Sequence, residues 1–236
     1  MTQTTSKGIT SSLIHIRPYQ VLSIPDSFGE EIKFFMPPHP GAGSLKAIES
    51  IMLLKLMRCV KPSYIFEFGT FKGYTTRLLL ENFPDNDAQS ERIYTLDLPN
   101  LDNVIFQGAD EELAMQGLNF PRKYLSSPRK NLVKQILQDS MTLDPQQYLK
   151  KFQFIFIDAN HEVNYVKNDT ENSLKMLADP PSCIVWHDYG NSEYPQLTQY
   201  LEDLSAQIKL HHIEDTMLVF HLLGKEVTPA KPQNSF

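Results

Sequence analysis

Short apolar runs alternate with longer stretches of helical periodicity along most of this chain. The clearest run is Phe152–Ile157 (FQFIFI), as expected for a central parallel strand that is buried on both faces. The predicted strands are Tyr64–Glu67, Ile93–Leu96, Asn131–Gln138, Phe152–Ile157, Cys183–Trp186, Ile208–Ile213 and Met217–Leu223, and the predicted helices are Glu49–Val60, Tyr74–Asn82, Ala109–Leu118, Glu162–Leu177 and Pro195–Ala206. This alternation predicts an α/β protein with a doubly wound sheet.

The stretch Tyr64–Thr76 (YIFEFGTFKGYTT) predicts a strand, a glycine-bearing turn and a helix. Such a turn directs backbone N–H groups and a helix N-terminus at a ligand, and Gly69 and Gly73 permit a close approach. The three-glycine dinucleotide fingerprint is absent, so an NAD-linked dehydrogenase is poorly supported. What remains is an acid, Glu67, two residues before the first glycine, which suits an ammonium-bearing ligand better than a pyrophosphate. An ordinary strand-to-helix turn with two glycines stays open as the alternative.

Polar residues follow four of the predicted strands where each strand ends. Asp97 follows the second strand, where doubly wound nucleoside sites hold ribose hydroxyls; a water-facing acid is the alternative. Asp139 and Ser140 follow the third strand, although this pair also commonly caps helices. The next two strands end in Asp158-Ala159-Asn160-His161 and His187-Asp188-Tyr189. Because ligands bind at the carboxyl ends of parallel strands, these groups predict a site at the same edge as the glycine turn.

Both ends of the chain and one internal region depart from this pattern. Residues 1–43 are expected to form a partly disordered N-terminal extension that caps a pocket or makes a dimer contact. Residues 44–224 form the main domain, and residues 225–236 form a flexible tail. Residues 100–130 fit the pattern least and indicate a lid or specificity insertion. Its basic cluster of Arg122, Lys123, Arg129 and Lys130 indicates either contact with an acidic substrate or a solvated face.

Composition and charge narrow the class of protein. The chain has 236 residues and a formal net charge of −6, so the chain as a whole does not attract a nucleic acid. Cys59 and Cys183 lie in apolar segments, which favours buried thiols over a disulfide. No run of 18 apolar residues is present, and the N-terminus lacks the apolar core of a signal peptide. These features predict a cytoplasmic enzyme or binding protein without a nucleic-acid or membrane partner.

Five strings occur in a family order: FEFGTFKGYTT, YTLDL, LQDS, FIFIDANHEVNYVKND and IVWHDYG. Together they resemble class I S-adenosylmethionine-dependent methyltransferases, in the small-molecule O-methyltransferase group with a "FIDGDH…HDY" signature. The resemblance covers about Ala47 to Leu223. It implies a Rossmann-like doubly wound sheet of seven strands, in the order 3-2-1-4-5-7-6 with the last strand antiparallel. It also implies S-adenosylmethionine as the cofactor and, in metal-dependent relatives, Mg²⁺.

The resemblance assigns roles to the loop and strand-end residues. The implied cofactor-binding residues are Glu67, Gly69, Thr70, Gly73, Thr75, Asp97, Asp139, Ser140 and Asp158. Asp158 and Asp188 match the acids that bind Mg²⁺ in metal-dependent relatives, where the ion lowers the pKa of the acceptor hydroxyl. His187 stands where some relatives carry a second Asp, and Asn160 stands where some carry an acid proposed as the base.

These departures leave the catalytic set open as Asn160, His161 and His187. Without a metal, either histidine is a candidate general base, because an imidazole titrates near neutral pH. For each histidine, an exposed or capping role is the alternative.

Two functions follow from these observations. The first is a S-adenosylmethionine-dependent methyltransferase that acts on an oxygen of a small hydroxylated molecule, with Mg²⁺ assistance as an option. The second is a non-catalytic or divergent nucleoside-binding member of the same fold. The missing acid at position 160 and the unusual turn Asp179-Pro180-Pro181-Ser182 favour the second function. A homodimer through the N-terminal extension is a candidate assembly for either function.

Overall fold

A single mixed sheet runs through the centre of the protein. The structure is a computed structural model that describes residues 12–21, 31–34, 43–84 and 87–227. Its strands are β1 (Ile14–Ile16), β2 (Ile65–Phe68), β3 (Ile93–Asp97), β4 (Val133–Leu137), β5 (Phe154–Ile157), β6 (Ser182–Trp186), β7 (His211–Ile213) and β8 (Val219–Leu223). They lie in the order β1-β7-β8-β6-β5-β2-β3-β4. Strand β8 is antiparallel to β6 and β7, and the other neighbouring pairs are parallel.

The predicted fold class is confirmed, and the seven predicted strands lie in the predicted order with the last strand antiparallel. The sheet has one strand more than the seven implied by the resemblance, because β1 pairs in parallel with β7, with Ile14 opposite His211. Leu13 and Ile16 are both buried at this edge, so apolar burial and backbone pairing together hold the added strand.

The described residues form five α-helices: α1 (Ala47–Val60), α2 (Tyr74–Glu81), α3 (Asp110–Asn119), α4 (Val163–Met176) and α5 (Pro195–Ser205). Helix α1 begins where the carboxylate of Glu49 accepts a hydrogen bond from the backbone N–H of Lys46, at 2.8 Å. Helix α2 begins directly after Gly73, whose φ is +73°. Short 3₁₀ turns occur at Pro18–Gln20, Lys123–Ser126, Lys130–Leu132, Ser140–Thr142 and Pro145–Tyr148.

Two apolar layers lie on opposite faces of the sheet. Phe154 and Phe156 of β5 belong to the layer that includes α1 and α2, whereas Ile155 and Ile157 belong to the layer that includes α4 and α5. Successive side chains of a strand point to opposite faces, so the apolar run of β5 fills both layers. Within the described residues, no helix combines the length and the apolar character needed to cross a membrane.

Strands β2, β3, β5 and β6 pair in parallel, so the sheet brings their carboxyl ends to one edge.

Candidate active site

A cleft opens at this edge of the sheet, between the strand ends and helix α3. It is formed by the glycine loop after β2, the residues after β3 and β5, and one face of α3. Its lining consists of Gly43, Gly69, Thr70, Phe71, Tyr74, Thr75, Leu96, Asp97, Leu98, Phe106, Asp110, Leu113, Ala114, Gly117, Ser140, Asp158, Ala159, Asn160, His161 and Tyr165. Several predicted cofactor residues are therefore brought together, and the rest lie behind the cleft wall.

The glycine loop needs its first glycine for steric reasons. Gly69 has a φ of +90°, and a Cβ atom there would lie 1.9 Å from the backbone oxygen of Asp158. That approach excludes any side chain, because the obstacle is backbone and the conformation is left-handed. Phe71, in the same loop, also has a positive φ, at +48°, which is unusual for an aromatic residue. The loop is thus held tightly against the end of β5, where Asp158 lies.

Glu67 lies below this loop and does not line the cleft. Its side chain is fully buried, and its Oε2 accepts hydrogen bonds from the hydroxyls of Thr76, at 2.5 Å, and Thr95, at 2.6 Å. Among the described residues, its Oε1 has no hydrogen-bond partner. Burial raises the pKa of Glu67 to about 8, against the weaker opposing effect of the two hydroxyls. In this structure Glu67 supports the loop through these threonines and does not itself face the cleft.

Asp97 does line the cleft, and three groups hold its carboxylate. Oδ2 accepts the backbone N–H of Phe71 at 3.1 Å and pairs with Arg122 at 2.8 Å, and Oδ1 accepts the N–H of Leu98 at 3.0 Å. Burial raises the pKa of Asp97, and the Arg122 guanidinium opposes the rise. A carboxylate offers about four acceptor positions, so capacity remains for a further donor.

Arg122 belongs to the basic cluster of residues 122–130, and its guanidinium is directed into the protein. Besides Asp97, its guanidinium donates to the carbonyl oxygens of Phe71 and Gly117. It therefore connects the glycine loop, the end of β3 and the end of α3. Arg129 likewise donates to backbone carbonyls, including that of Leu80 at 2.9 Å. Arg122 and Arg129 therefore neither form a solvated face nor await an acidic substrate, because both pair with carbonyl or carboxylate groups of the protein itself.

The remaining predicted cofactor residues divide between the lining and the support behind it. Thr70, Thr75 and Ser140 line the cleft. Asp139 does not, because its Oδ1 accepts the backbone N–H of Met141 at 2.9 Å and its Oδ2 accepts the hydroxyl of Tyr165 at 3.2 Å. Gly73 also lies outside the lining, at the start of α2. Tyr165, which sequence reasoning missed, therefore lines the cleft where Asp139 was expected.

At the other end of the cleft, two histidines and two aspartates form an ionic cluster. Oδ2 of Asp188 lies 2.8 Å from Nε2 of His161 and 2.7 Å from Nδ1 of His187. Oδ1 of Asp158 lies farther from the same nitrogens, at 3.9 Å and 3.5 Å respectively. Asp158 and His161 line the cleft, whereas His187 and Asp188 lie behind them. The sequence therefore correctly placed these four residues at one edge, and we refer to them below as the ionic cluster.

The charges of the ionic cluster reinforce one another. Burial alone would lower the pKa of both histidines. At His187, Asp158 and Asp188 raise the pKa well above the ordinary range. At His161, these two aspartates and Asp110 raise the pKa in the same way. Conversely, burial would raise the pKa of Asp158 and Asp188, and the imidazoles lower it. The structure therefore favours imidazolium and carboxylate groups in alternation.

Three residues outside the predicted set hold this cluster in place. Glu49 of α1 lies 3.4 Å from Nε2 of His187, and Asp110 of α3 lies 2.9 Å from Nδ1 of His161. Tyr194 stacks its ring on His161, with centroids 4.1 Å apart, and its hydroxyl donates to Asp110 at 2.7 Å. Glu49 carried a signal that could have been used, since an acid on the apolar side of a helix must find a partner when it is buried.

None of the three predicted catalytic residues has a free group in this arrangement. Both ring nitrogens of His161 and of His187 lie near carboxylates, so a protonated ring has no lone pair with which to accept a proton. The amide of Asn160 donates to the carbonyl of Ile105 at 2.7 Å and accepts the N–H of Glu162 at 2.9 Å. Asn160 lines the cleft, but it serves there to connect two loops.

The sequence matches a family model described as "Methyltransferase domain" over residues 66–189, which is slightly more than half of the chain. The chain belongs to this methyltransferase family. No match was found among curated proteins. The matched residues run from β2 to just past β6, so they include the glycine loop, Asp97 and the ionic cluster of this methyltransferase.

Solved structures show the same fold. The O-methyltransferase TomG from Streptomyces achromogenes, which is involved in tomaymycin synthesis and was solved with S-adenosylmethionine, is 17% identical with a TM-score of 0.51. The alignment covers 77% of this methyltransferase and 82% of TomG. The O-methyltransferase NovP is 13% identical with a TM-score of 0.51, over 72% of this chain and 78% of NovP.

The ionic cluster matches Mg²⁺ poorly. Asp158, His187 and Asp188 form the group of potential metal ligands found in the described part of the chain. Mg²⁺ prefers oxygen ligands throughout, in octahedral geometry. Here an imidazole stands among the carboxylates, and its Nδ1 atom lies 2.7 Å from the carboxylate oxygen of Asp188. The chemistry of this donor set therefore argues against the Mg²⁺ ion implied by the sequence resemblance.

Proposed function

We propose that this methyltransferase transfers the methyl group of S-adenosylmethionine to an oxygen of a small hydroxylated molecule. The observation that carries the proposal is the composition of the cleft. It joins the glycine loop and Asp97 at one end to Asp158 and His161 of the ionic cluster at the other. A cofactor that lies along the loop would therefore present its far end to charged groups that can position an acceptor.

The residues present suit this cofactor. Gly69 lets the glycine loop pack against the backbone of Asp158, and Asp97 retains acceptor capacity for ribose hydroxyls. Ser140 and Tyr165 line the side of the cleft where the adenine would lie under this proposal. Glu67 supports the loop from behind, because it fixes Thr76 and Thr95 and does not reach the cleft.

The reaction needs positioning and one proton transfer. The acceptor oxygen attacks the methyl carbon, the carbon–sulfur bond breaks, and the sulfonium becomes a neutral thioether. We assign the proton of the acceptor hydroxyl to Asp158, because this carboxylate lines the cleft and makes the longest contacts within the ionic cluster, at 3.5 Å and 3.9 Å. This assignment replaces the general-base role predicted for His161 and His187, whose ring nitrogens are already engaged.

A second candidate function is nucleoside binding without turnover. It is favoured by Asn160, which has no ionisable group where some relatives carry an acid. The two candidate functions differ in product formation. Both require S-adenosylmethionine to bind, but only the first produces S-adenosylhomocysteine in a reaction with a hydroxylated acceptor.

The extension, the assembly and the location in the cell remain predictions. We retain residues 44–224 as the catalytic domain, residues 1–43 as a cap or dimer contact, a homodimer as the assembly and the cytoplasm as the location. Support for the cap comes from Gly43, which lines the cleft and whose Cβ, if present, would lie 2.8 Å from the ring of Phe71. Residues 35–42, which precede it, lie outside the described residues.

The first experiment is a calorimetric titration of the protein with S-adenosylmethionine and S-adenosylhomocysteine. We expect Asp97→Ala to weaken binding by at least about 10-fold, because a hydrogen bond to a charged group contributes about 1.5–3 kcal/mol. Asp203→Ala, at an exposed position of α5, is the matched control and should bind as the unaltered protein does. Equal affinities in all three proteins would remove Asp97 from the binding site.

A further inference from the structure

A second cleft lies at the end of the sheet opposite the candidate active site. Lys61, Ser63 and Tyr64 line it and precede β2 in the chain, and Arg92 lines it and precedes β3. The other lining residues are Pro62, Pro84 and Asp87. Because β2 and β3 pair in parallel, their amino ends lie together, and the length of both strands separates this cleft from the cofactor cleft.

Arg92 is held at this second cleft by an aromatic partner. Its Nη1 donates to the hydroxyl of Tyr64 at 2.8 Å, and its guanidinium carbon lies 5.0 Å from the centre of the Tyr64 ring. Among the described residues, no carboxylate, including that of Asp87, lies within ion-pair distance of Arg92. An aromatic ring attracts a cation but has no net charge, so Arg92 keeps its full positive charge and most of its N–H donors.

Lys151, which precedes β5, is a second cation with aromatic partners. Its ammonium nitrogen donates to the hydroxyl of Tyr94 at 2.7 Å and lies 4.0 Å from the centre of that ring. The centre of the Tyr64 ring lies 5.0 Å from the same nitrogen, so Arg92 and Lys151 both contact this ring. Two further rings lie near the ammonium group, those of Phe152 at 5.6 Å and Tyr148 at 5.7 Å.

The hydroxyls of Tyr64 and Tyr94 each have a hydrogen left to donate. Each oxygen already accepts a hydrogen bond from a cation, and in the described part of the chain neither hydroxyl donates to an acceptor. Lys151, like Arg92, forms no ion pair with a described carboxylate. These four side chains, which we call the basal cluster, therefore combine two cations and two hydroxyl donors without an acceptor of their own.

We propose that the basal cluster of Tyr64, Arg92, Tyr94 and Lys151 binds a phosphate group. A phosphate group has close to two negative charges and several acceptor oxygens, so one group can pair with both cations and accept from both hydroxyls. Arginine also matches the geometry of phosphate better than lysine does, because its planar guanidinium donates two parallel hydrogen bonds.

The ligand is a small anion, either free phosphate or a phosphate group on a small molecule. Both sources present the same oxygens to the cluster. A nucleic acid fits less well, because a polyanion extending beyond the cluster meets a chain with a formal net charge of −6. No residue of the basal cluster lines the cofactor cleft, so this proposal and the proposed methyl transfer can fail separately.

The test is a calorimetric titration of the full chain with inorganic pyrophosphate, in phosphate-free buffer at low salt. We expect one equivalent to bind with a Kd below about 1 mM. Saturation with S-adenosylhomocysteine beforehand should leave this affinity unchanged. Absence of binding would overturn the proposal, and so would loss of binding after S-adenosylhomocysteine is added, because the anion would then occupy the cofactor cleft.

Further titrations distinguish the sources of the phosphate group. Tighter binding of glycerol 3-phosphate than of inorganic phosphate would identify the ligand as a phosphorylated small molecule, whereas the reverse order would identify it as free phosphate. A short single-stranded oligonucleotide that binds more tightly than pyrophosphate would reject a small ligand in favour of a nucleic acid.

Variants assign the binding to the basal cluster. Arg92→Gln and Lys151→Gln should each weaken pyrophosphate binding by at least about 10-fold, because each removes a charge that pairs with the anion. Tyr64→Phe keeps the ring beside both cations and removes one donor, so we expect a loss of about 3- to 10-fold. The tyrosine variant keeps the test decisive if a glutamine variant does not fold.

The matched control is Lys150→Gln, which removes a positive charge directly beside Lys151. The side chain of Lys150 is 70% exposed and pairs with Asp179 at 3.3 Å, so it lies outside the basal cluster. This variant should bind pyrophosphate as the unaltered protein does. Equal losses in Lys150→Gln and Lys151→Gln would show that the anion responds to general surface charge, and would reject the proposed site.

Discussion

Two adjacent regions of the same edge bury carboxyl groups in opposite ways. Below the glycine loop, Glu67 has only hydroxyl partners, and burial raises its pKa to about 8. After β6, Asp188 is also buried, yet two imidazoles lower its pKa below the ordinary range. Hydroxyls donate hydrogen bonds but carry no charge that could offset desolvation, whereas an imidazolium does both. The partner thus decides whether a buried acid supports a loop as a neutral group or belongs to an ionic site.

The largest effect is expected from Asp188→Asn, which removes the charge shared by His161 and His187. Removing one member of a buried ion pair costs about 3–5 kcal/mol, so we expect the free energy of unfolding to fall by this amount in chelator-treated protein. The change isolates charge from backbone strain, because Asp188 has a φ of +62° and asparagine tolerates this conformation. Urea denaturation provides the measurement.

The control for this variant is Asp179→Asn. Asp179 also pairs with a cation, Lys150 at 3.3 Å, but its side chain is 82% exposed. An exposed pair contributes less than about 1 kcal/mol, so the control should be nearly as stable as the unaltered protein. Similar small losses in both variants would show that Asp188 does not act as a buried charge.

The next effect concerns Glu67 and depends on pH. Its ordinary pKa of 4.5 applies to the unfolded chain, and about 8 applies to the folded protein. Between these values the unfolded chain loses a proton that the folded protein keeps, so the free energy of unfolding falls as the pH rises. From pH 5.5 to pH 8 this contribution amounts to about 3 kcal/mol. We expect Glu67→Gln to remove that part of the decline, because glutamine keeps the acceptor oxygen and does not titrate.

The measurement is urea denaturation at both pH values, with Glu171→Gln as the control at an exposed position of α4. The control should show the same fall in the free energy of unfolding between the two pH values as the unaltered protein. The ionic cluster also contributes to this fall. If Glu67→Gln and the unaltered protein decline in parallel, then Glu67 is ionised in the fold and the contrast with Asp188 disappears.

These two regions also differ in how far the sequence could predict them. The glycine spacing, the acid before it and Asp97 at the end of β3 are local patterns, and they lead directly to the loop. The order of the strands follows from the family resemblance. The polar strings after β5 and β6 likewise placed the ionic cluster at the correct edge. Local spacing does not predict the residues that hold the two histidines. Glu49, Asp110 and Tyr194 lie in three other segments, and only the fold brings them next to the histidines.

Arg122 illustrates the same limit. A run of basic residues in an irregular insertion gives no indication of which side chain points into the protein. Here Arg122 pairs with Asp97, whereas the next residues form the 3₁₀ turn Lys123–Ser126. The pairing of β1 is a similar case, since its three residues do not specify a partner strand, which lies almost 200 residues later.

The smallest effect is expected at the outer end of the ionic cluster, from Tyr194→Phe. The hydroxyl of Tyr194 donates to Oδ1 of Asp110 at 2.7 Å, and the ring stacks on His161. Phenylalanine keeps the stack, and Asp110 retains the Nδ1 and backbone N–H groups of His161 as donors. We therefore expect a loss of about 1–2 kcal/mol in the free energy of unfolding, since one hydrogen bond is removed without leaving the carboxylate alone.

Tyr189→Phe serves as the control, because its hydroxyl makes a longer contact of 3.3 Å with Glu202 and should matter less. A loss at Tyr194 as large as that of Asp188→Asn would mean that the hydroxyl is an essential donor to the ionic cluster. In that case a neutral partner would sustain a buried carboxylate as well as an imidazolium does, and the distinction drawn from Glu67 and Asp188 would be wrong.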